Sequence, residues 1–264
     1  MTHGPAEYAL STPFSLLAFV GGALLLLATP VVRQEAPAAP PVPALASLDP
    51  PLALLKDGRQ EFDYRVAMPG SSDPPQSLGS VVLSTKIEGG KFKFTDRGGV
   101  RFSGKSYWIE MITAGSVGNE LRPEHLSVRG TTPNLGGKAL AFSADFTAAS
   151  ATVVFDDEKY EVAVPAGALT VDVLYRLATL LPRRLGFVAS YEHYLDANEM
   201  HVNPGGTITC VSAAENVDLG VNVVKACRFD ATSDDHVFMS LWVDDAGRLV
   251  QTCFEGTKWL VTRS

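Results

Sequence analysis

The chain has 264 residues, a formal net charge of −7 and 46% hydrophobic residues, the composition of a globular protein long enough for one large or two small domains. The acidic balance argues against nucleic-acid binding, which needs a basic footprint. No block of like charge offers a polybasic membrane patch.

Taken in chain order, residues 1–13 are a tail without Lys or Arg. Residues 14–32 (FSLLAFVGGALLLLATPVV) carry no charge, over a length that fits a membrane-spanning helix. A secretory signal has a shorter apolar region and a basic start. The segment is therefore expected to be an uncleaved transmembrane anchor, with a cleaved signal as the alternative and a buried core helix behind both. Arg33 follows it directly, which on the positive-inside rule points the rest of the chain toward the cytoplasm. Residues 33–54 are rich in Pro and Ala and read as a semi-rigid linker. The folded part is expected as a single β-rich domain over residues 55–264.

Within that domain, short alternating segments predict strands at residues 61–67, 78–86, 91–95, 100–103 and 106–113. Gly89-Gly90, residues 96–99 and Gly104-Lys105 read as the turns between them. Further strands are expected at residues 121–129, 139–144, 151–155 and 160–164. Pro165 and Gly167 then break the pattern, and the chain's one confident helix follows over residues 171–181, closed by Pro182. Thr170 is placed to cap it. Its polar residues, Asp172, Arg176 and Thr179, form one narrow stripe along which Asp172 can pair with Arg176 at the surface. The rest is apolar and too short to span a bilayer, so the helix is expected inside the concave face of a curved sheet. Strands resume at residues 185–195, 199–202, 206–213, 221–229, 237–243, 248–254 and 258–262, with Pro204-Gly205-Gly206 as a turn. The expected fold is mainly β: a highly curved antiparallel sheet, half-barrel or open barrel, wrapping one apolar α-helix, with an N-terminal membrane segment.

Four pieces in this order resemble a bacterial exported domain family of unknown function whose curved β-sheet is similar to the lipoprotein-carrier half-barrel. They are Leu121-Arg122-Pro123; Val164-Pro165-Ala166-Gly167 with residues 174–181; residues 215–220; and residues 242–249 (WVDDAGRL). The resemblance extends over most of the chain from about Asp57 onward. It implies export, with the folded domain extracytoplasmic in the cell envelope, and this outweighs Arg33. Secretion after signal cleavage is the alternative. It implies no catalytic residue.

The residues themselves offer little chemistry. His193 lies on the apolar face of its segment and reads as a core histidine. Glu199 and His201 share a strand face near Asp196, and His236 lies on a later strand, but no spacing matches a known zinc motif. Ser80, Ser190 and Ser240 lack a nucleophile-elbow context. Trp108, Trp242 and Trp259 read as sheet packing. No catalytic residue, metal ligand or cofactor is assigned.

Cys210 and Cys227 flank a hairpin centred on Asp218-Leu219, a register that sets them opposite each other within disulfide range. Three buried thiols are the alternative, and Cys253 stays free either way. The expected function is non-enzymatic: binding of a lipid or other apolar small molecule, with Leu174, Leu177 and Leu181 as ligand-facing candidates, or service as an interaction module for a protein partner of unspecified kind. An envelope hydrolase with an unrecognised site and a purely structural module are the alternatives. The expected partners are the membrane, through the N-terminal segment, and no nucleic acid.

Overall fold

The computed structural model describes residues 55–67, 74–102, 104–117, 121–131, 139–165, 167–196, 200–220 and 222–263. The apolar segment 14–32, the tail before it and the linker at 33–54 lie outside the described residues. Among those described, no helix is long and apolar enough to cross a membrane.

The first eight strands run up and down in order: β1 (Gly58–Val66), β2 (Gln76–Glu88), β3 (Lys91–Phe102), β4 (Lys105–Ser116), β5 (Pro123–Thr131), β6 (Ala139–Phe146), β7 (Ser150–Phe155) and β8 (Glu158–Ala163). The three-residue β9 (Ala168–Thr170) leads into α1 (Val171–Ala178). The rest are β10 (Val188–Asp196), β11 (His201–Asp218), β12 (Val223–Ser233), β13 (His236–Asp244), β14 (Leu249–Phe254) and β15 (Lys258–Thr262). Tight turns with positive φ at both central residues, as at Gly89-Gly90, Asp156-Asp157 and Asp234-Asp235, match the twist of the strands they join.

All fifteen strands form one sheet, ordered β8-β7-β6-β5-β4-β3-β2-β1-β15-β14-β13-β12-β11-β10-β9. The first and last strands pair antiparallel in the middle, with Tyr64 opposite Leu260. The two edges, β8 and β9, are consecutive in the chain and separated only by residues 164–167. The sheet therefore curls until its edges approach, without a ladder between them. Side chains bridge the seam instead. Ala151 and Val153 of β7 share one buried cluster with Val164, Ala168 and Leu195. The architecture is a curved, open β-sheet with one helix inside.

Each segment expected as a strand contains one among the described residues, and several join into longer ones, but residues 121–122 and 185–187, expected in strands, lie before β5 and β10. Residues 96–99 are no turn: Gly98 and Gly99 sit in the β3 ladder opposite Val81 and Ser80. Pro204-Gly205-Gly206 likewise lies within β11. A Cβ on Gly205 would come within 2.0 Å of the Tyr191 carbonyl oxygen, so glycine here permits close backbone approach.

Alternation decides what faces inward. Phe62 and Tyr64, Phe92 and Phe94, Cys227, Phe229 and Ala231, and Met239, Leu241 and Val243 join α1 in the largest buried cluster. On the opposite face of the C-terminal strands a smaller cluster forms around Trp242 and Trp259, whose rings lie 5.8 Å apart.

The helix is shorter than its pattern. After Ala178 the chain tightens: the Leu180 and Leu181 amides donate to the carbonyls of Leu177 and Ala178, three residues back. Thr170 holds the N-cap position with extended backbone, but its hydroxyl makes no capping bond. Every residue from Asp172 to Ala178 is buried. Because Leu174 is fully buried, Leu174→Ala is expected to cost about 2–5 kcal/mol by leaving a cavity. Urea melts check this, and a loss below the lower figure would mean that the helix does not fill the sheet's concavity.

Candidate functional site

The stripe expected at the surface of α1 faces the sheet. Arg176 is 6% exposed and holds Asp96 of β3 in a fork, Nη2 donating to Oδ1 at 2.6 Å and Nη1 to Oδ2 at 3.1 Å. The same guanidinium donates to the carbonyls of Asp172 and Ser84 and lies 4.6 Å from the centroid of the Phe94 ring. The expected Asp172–Arg176 side-chain pair is replaced by this one. The helix is wrapped on every side, so its polar stripe finds its partner on β3 and not in water. Both Asp172 carboxylate oxygens are buried without a hydrogen-bond partner among the described residues. Burial pushes the Asp96 carboxyl up to about 6 against the pull of the Arg176 guanidinium, and the Asp172 charge adds to the rise.

Beyond this anchor, at the C-terminal end of α1, lies a half-open cleft of about 730 Å³, a size that suits a small ligand. Leu55, Leu83, Tyr175, Leu181, Pro182 and Leu249 give it an apolar floor. Lys56, Arg59, Arg183 and Arg248 stand around its mouth, with Arg176 at its base. Among the described residues, no carboxylate lines it. Lys56 and Arg59 are exposed and make no ion pair among the described residues. Arg248 pairs with the buried Asp244 at 2.8 Å, and Arg183 donates to the Asp245 carbonyl. An acidic protein thus gathers its cations at one opening.

Of the ligand-facing candidates, Leu181 lines the cleft, whereas Leu174 and Leu177 are sealed in the core. Their positions on the helix place them under Tyr175 and Arg176, which take the cleft side. Sequence reasoning missed Lys56, Arg59, Arg183 and Arg248, because the mouth is assembled from three separated segments. The one local signal is the Pro182-Arg183-Arg184-Leu185 run that ends the helix.

Cys210 and Cys227 come together, with Sγ atoms 2.8 Å apart. The expected register is corrected, however: Cys210 pairs with Phe229, and bulges follow Cys210 and Ser212. The two cysteines are therefore diagonal neighbours on the inner face. All three cysteines are buried thiols. Burial, then the hydrogen bond and charge of Cys210, push the Cys227 thiol up to about 12, so little thiolate exists to start an oxidation.

His193 is half-buried between Ala168 and Pro204 in the ladders. His201 sits opposite Asp196, and His201 and His236 are exposed. Glu199 lies outside the described residues. Among those described, no three His, Cys, Asp or Glu side chains gather as a metal site. Ser240 donates to Asp230 at 2.7 Å on the outer face, with no histidine among its bonded partners.

No protein-family profile and no curated protein matches this sequence. Among solved structures, the chain is similar to the β-barrel-like protein of domain of unknown function DUF1849 from Brucella abortus, with 9% identity, a TM-score of 0.49, and coverage of 79% of this chain and 96% of that one. That likeness carries no functional inference, and the fold described above stands on its own strands.

Removing Asp96 strands a buried guanidinium, so Asp96→Ala is expected to cost about 3–5 kcal/mol, and Asp96→Leu combined with Arg176→Met to recover most of it. The folded carboxyl titrates near 6 and the unfolded one near 3.8. Between those values the folded protein binds a proton that the unfolded chain does not, so this group's contribution grows more favourable as pH falls through that window. Urea melts across the window, with the double variant as the flat reference, check both. For the cysteines, slow oxidation is expected to link Cys210 to Cys227, stabilising the domain by about 3 kcal/mol in the chain-entropy model. Peptide mapping that finds both alkylated after prolonged oxidation overturns this.

Proposed function

We propose that the domain binds an anionic amphiphile, a molecule with an apolar body and a phosphate or carboxylate head, in the cleft at the C-terminal end of α1. The observation that carries the reading is the division of the lining: leucines and Tyr175 on the floor, cations at the mouth, no carboxylate. Exposed cations such as Lys56 and Arg59, which make no ion pair among the described residues, attract an anion, and an apolar floor rewards a ligand that covers it.

The reading is of a binding protein and not of an enzyme. What supports this is the chemistry of the lining, which among the described residues holds no His, Cys, Ser, Asp or Glu to serve as base or nucleophile. In this reading the domain works in the cell envelope, tethered through residues 14–32. The sequence resemblance to an exported family with a lipoprotein-carrier-like sheet points the same way.

Isothermal titration of the protein with dodecyl phosphate below its micellar concentration, against dodecyl maltoside as the uncharged control, tests it. Dodecyl phosphate is expected to bind and dodecyl maltoside not. Arg59→Glu and Arg183→Glu are each expected to weaken binding about tenfold, the effect of losing one charged contact worth about 1.4 kcal/mol, and added salt to weaken it further. Equal binding of the two amphiphiles, or no binding of either, rejects the proposal.

A further inference from the structure

We propose that the rim of the cleft is a membrane-docking surface for an anionic bilayer, with Leu185 seated at the headgroup boundary and the cations around it against lipid phosphates. This goes beyond ligand binding, although it rests on the same cleft, because it assigns the domain a surface and an orientation.

The first observation is Leu185 itself. At 64% exposure it is among the most exposed large apolar side chains of the described residues. The others of that group, Trp108, Tyr160, Val211, Val223 and Val237, lie within strands. Leu185 stands on the loop that leaves α1 along the cleft. That loop is held by its backbone. The Arg184 amide donates to the Pro182 carbonyl, the Phe187 amide to the Arg184 carbonyl, and the Gly186 amide to the Cys210 carbonyl of β11, each at 2.9 Å. Phe187 is buried, so the loop is pinned on one side and presents Leu185 on the other. A fixed, solvent-facing leucine next to two arginines is poorly explained by packing and well explained by an interface with an apolar layer beneath a charged one.

The second observation is charge. Arg183 and Arg184 immediately precede Leu185 in the chain, and Lys56, Arg59 and Arg248 border the cleft that Arg183 lines. The nearby carboxylates are mostly engaged: Asp244 by Arg248, and Asp57 by the Ile87 amide. Asp245 remains exposed beside the turn. A cationic rim on a protein of net charge −7 is an oriented charge distribution, and an anionic surface turns it rim-first.

The third observation is where the chain comes from. Leu55, the first described residue, lines the cleft. The uncharged segment 14–32 precedes it, and residues 33–54 can span at most about 75 Å when fully extended. The chain therefore enters the domain beside the cleft, and a tether in the bilayer attaches to that side.

The test uses the full chain with Leu185→Cys carrying the environment-sensitive fluorophore NBD. The native cysteines are buried, which leaves the new thiol as the reactive one. Val237→Cys is the control, at the far end of the strand whose Asp244 turn borders the cleft. The labelled proteins are reconstituted into phosphatidylcholine vesicles and into equimolar phosphatidylcholine–phosphatidylglycerol vesicles. The expected result is a several-fold rise and blue shift of NBD emission at position 185 in the anionic vesicles only, quenched by brominated acyl chains, with no change at position 237. Arg184→Glu, which lies outside the cleft lining, is expected to abolish the response while leaving dodecyl phosphate titration unchanged. Identical emission at position 185 in both vesicle types overturns docking, as does an equal response at position 237. Docking in a protein that fails to bind dodecyl phosphate supports this inference and rejects the ligand reading alone.

Discussion

The fork between Arg176 and Asp96 fixes how the sheet and helix fit together. An apolar helix in an apolar trough can rotate among packings of similar energy, whereas a bidentate guanidinium–carboxylate contact has one geometry. Its partners tie α1 to β2 through the Ser84 carbonyl and to β3 through Asp96. On another side, Tyr175 meets Phe254 of β14 edge to face, with ring centroids 5.7 Å apart. Strands from both halves of the chain thus close on one short helix. Two carboxylates and one guanidinium share that interior, and the raised Asp96 pKa reflects what it costs to keep them dry.

The sheet stays open at the seam beside the helix. The chain lays down β1 to β8 outward from the middle, then needs only residues 164–167 to reach the other edge. There it places β9, α1 and β10 as a parallel crossover. No ladder joins β8 to β9, although the four-residue connection is of hairpin length. The seam is closed by side chains, and β8 is left with one unpaired backbone edge. Its sequence, Glu-Lys-Tyr-Glu-Val-Ala, is nearly all exposed, and its charged flanks disfavour pairing with another chain.

Much of this was legible in the sequence. Pro165, Gly167 and Pro182 mark the helix because breakers act locally, and Met239, Leu241 and Val243 announce their strand by simple alternation. What was not legible came from glycine and from distance. Gly98-Gly99 and Gly205-Gly206 carry the signature of turns, yet both pairs lie in ladders; at Gly205 and Gly206 glycine relieves backbone crowding, a requirement visible only once the neighbouring strand is in place. The misplacement of Arg176 is the same error seen from the other side. With residues 96–99 taken as a turn, Asp96 could not be an inward partner, and a polar stripe without a partner is assigned to water. The cleft cations were hidden for a different reason: Lys56, Arg59, Arg183 and Arg248 meet only in three dimensions.

The filled interior decides where an apolar ligand can sit. In a half-barrel with an empty concavity, acyl chains would lie against the inner strands. Here Phe62, Phe94, Leu174 and Phe229 occupy that volume at essentially full burial, and the buried ion pair resists displacement because separating it would strand a charge. Among the described residues a cleft opens beyond the last turn of α1, where the chain leaves through Pro182 and β1 begins. Cations belong near that end of a helix, whose unpaired carbonyls carry partial negative charge. This rationalises Arg176 and Arg183, but not Lys56 and Arg59, which are exposed and without ion pairs among the described residues. Their mutual repulsion brings the fold no compensating contact, and a negatively charged group at the mouth is what would relieve it.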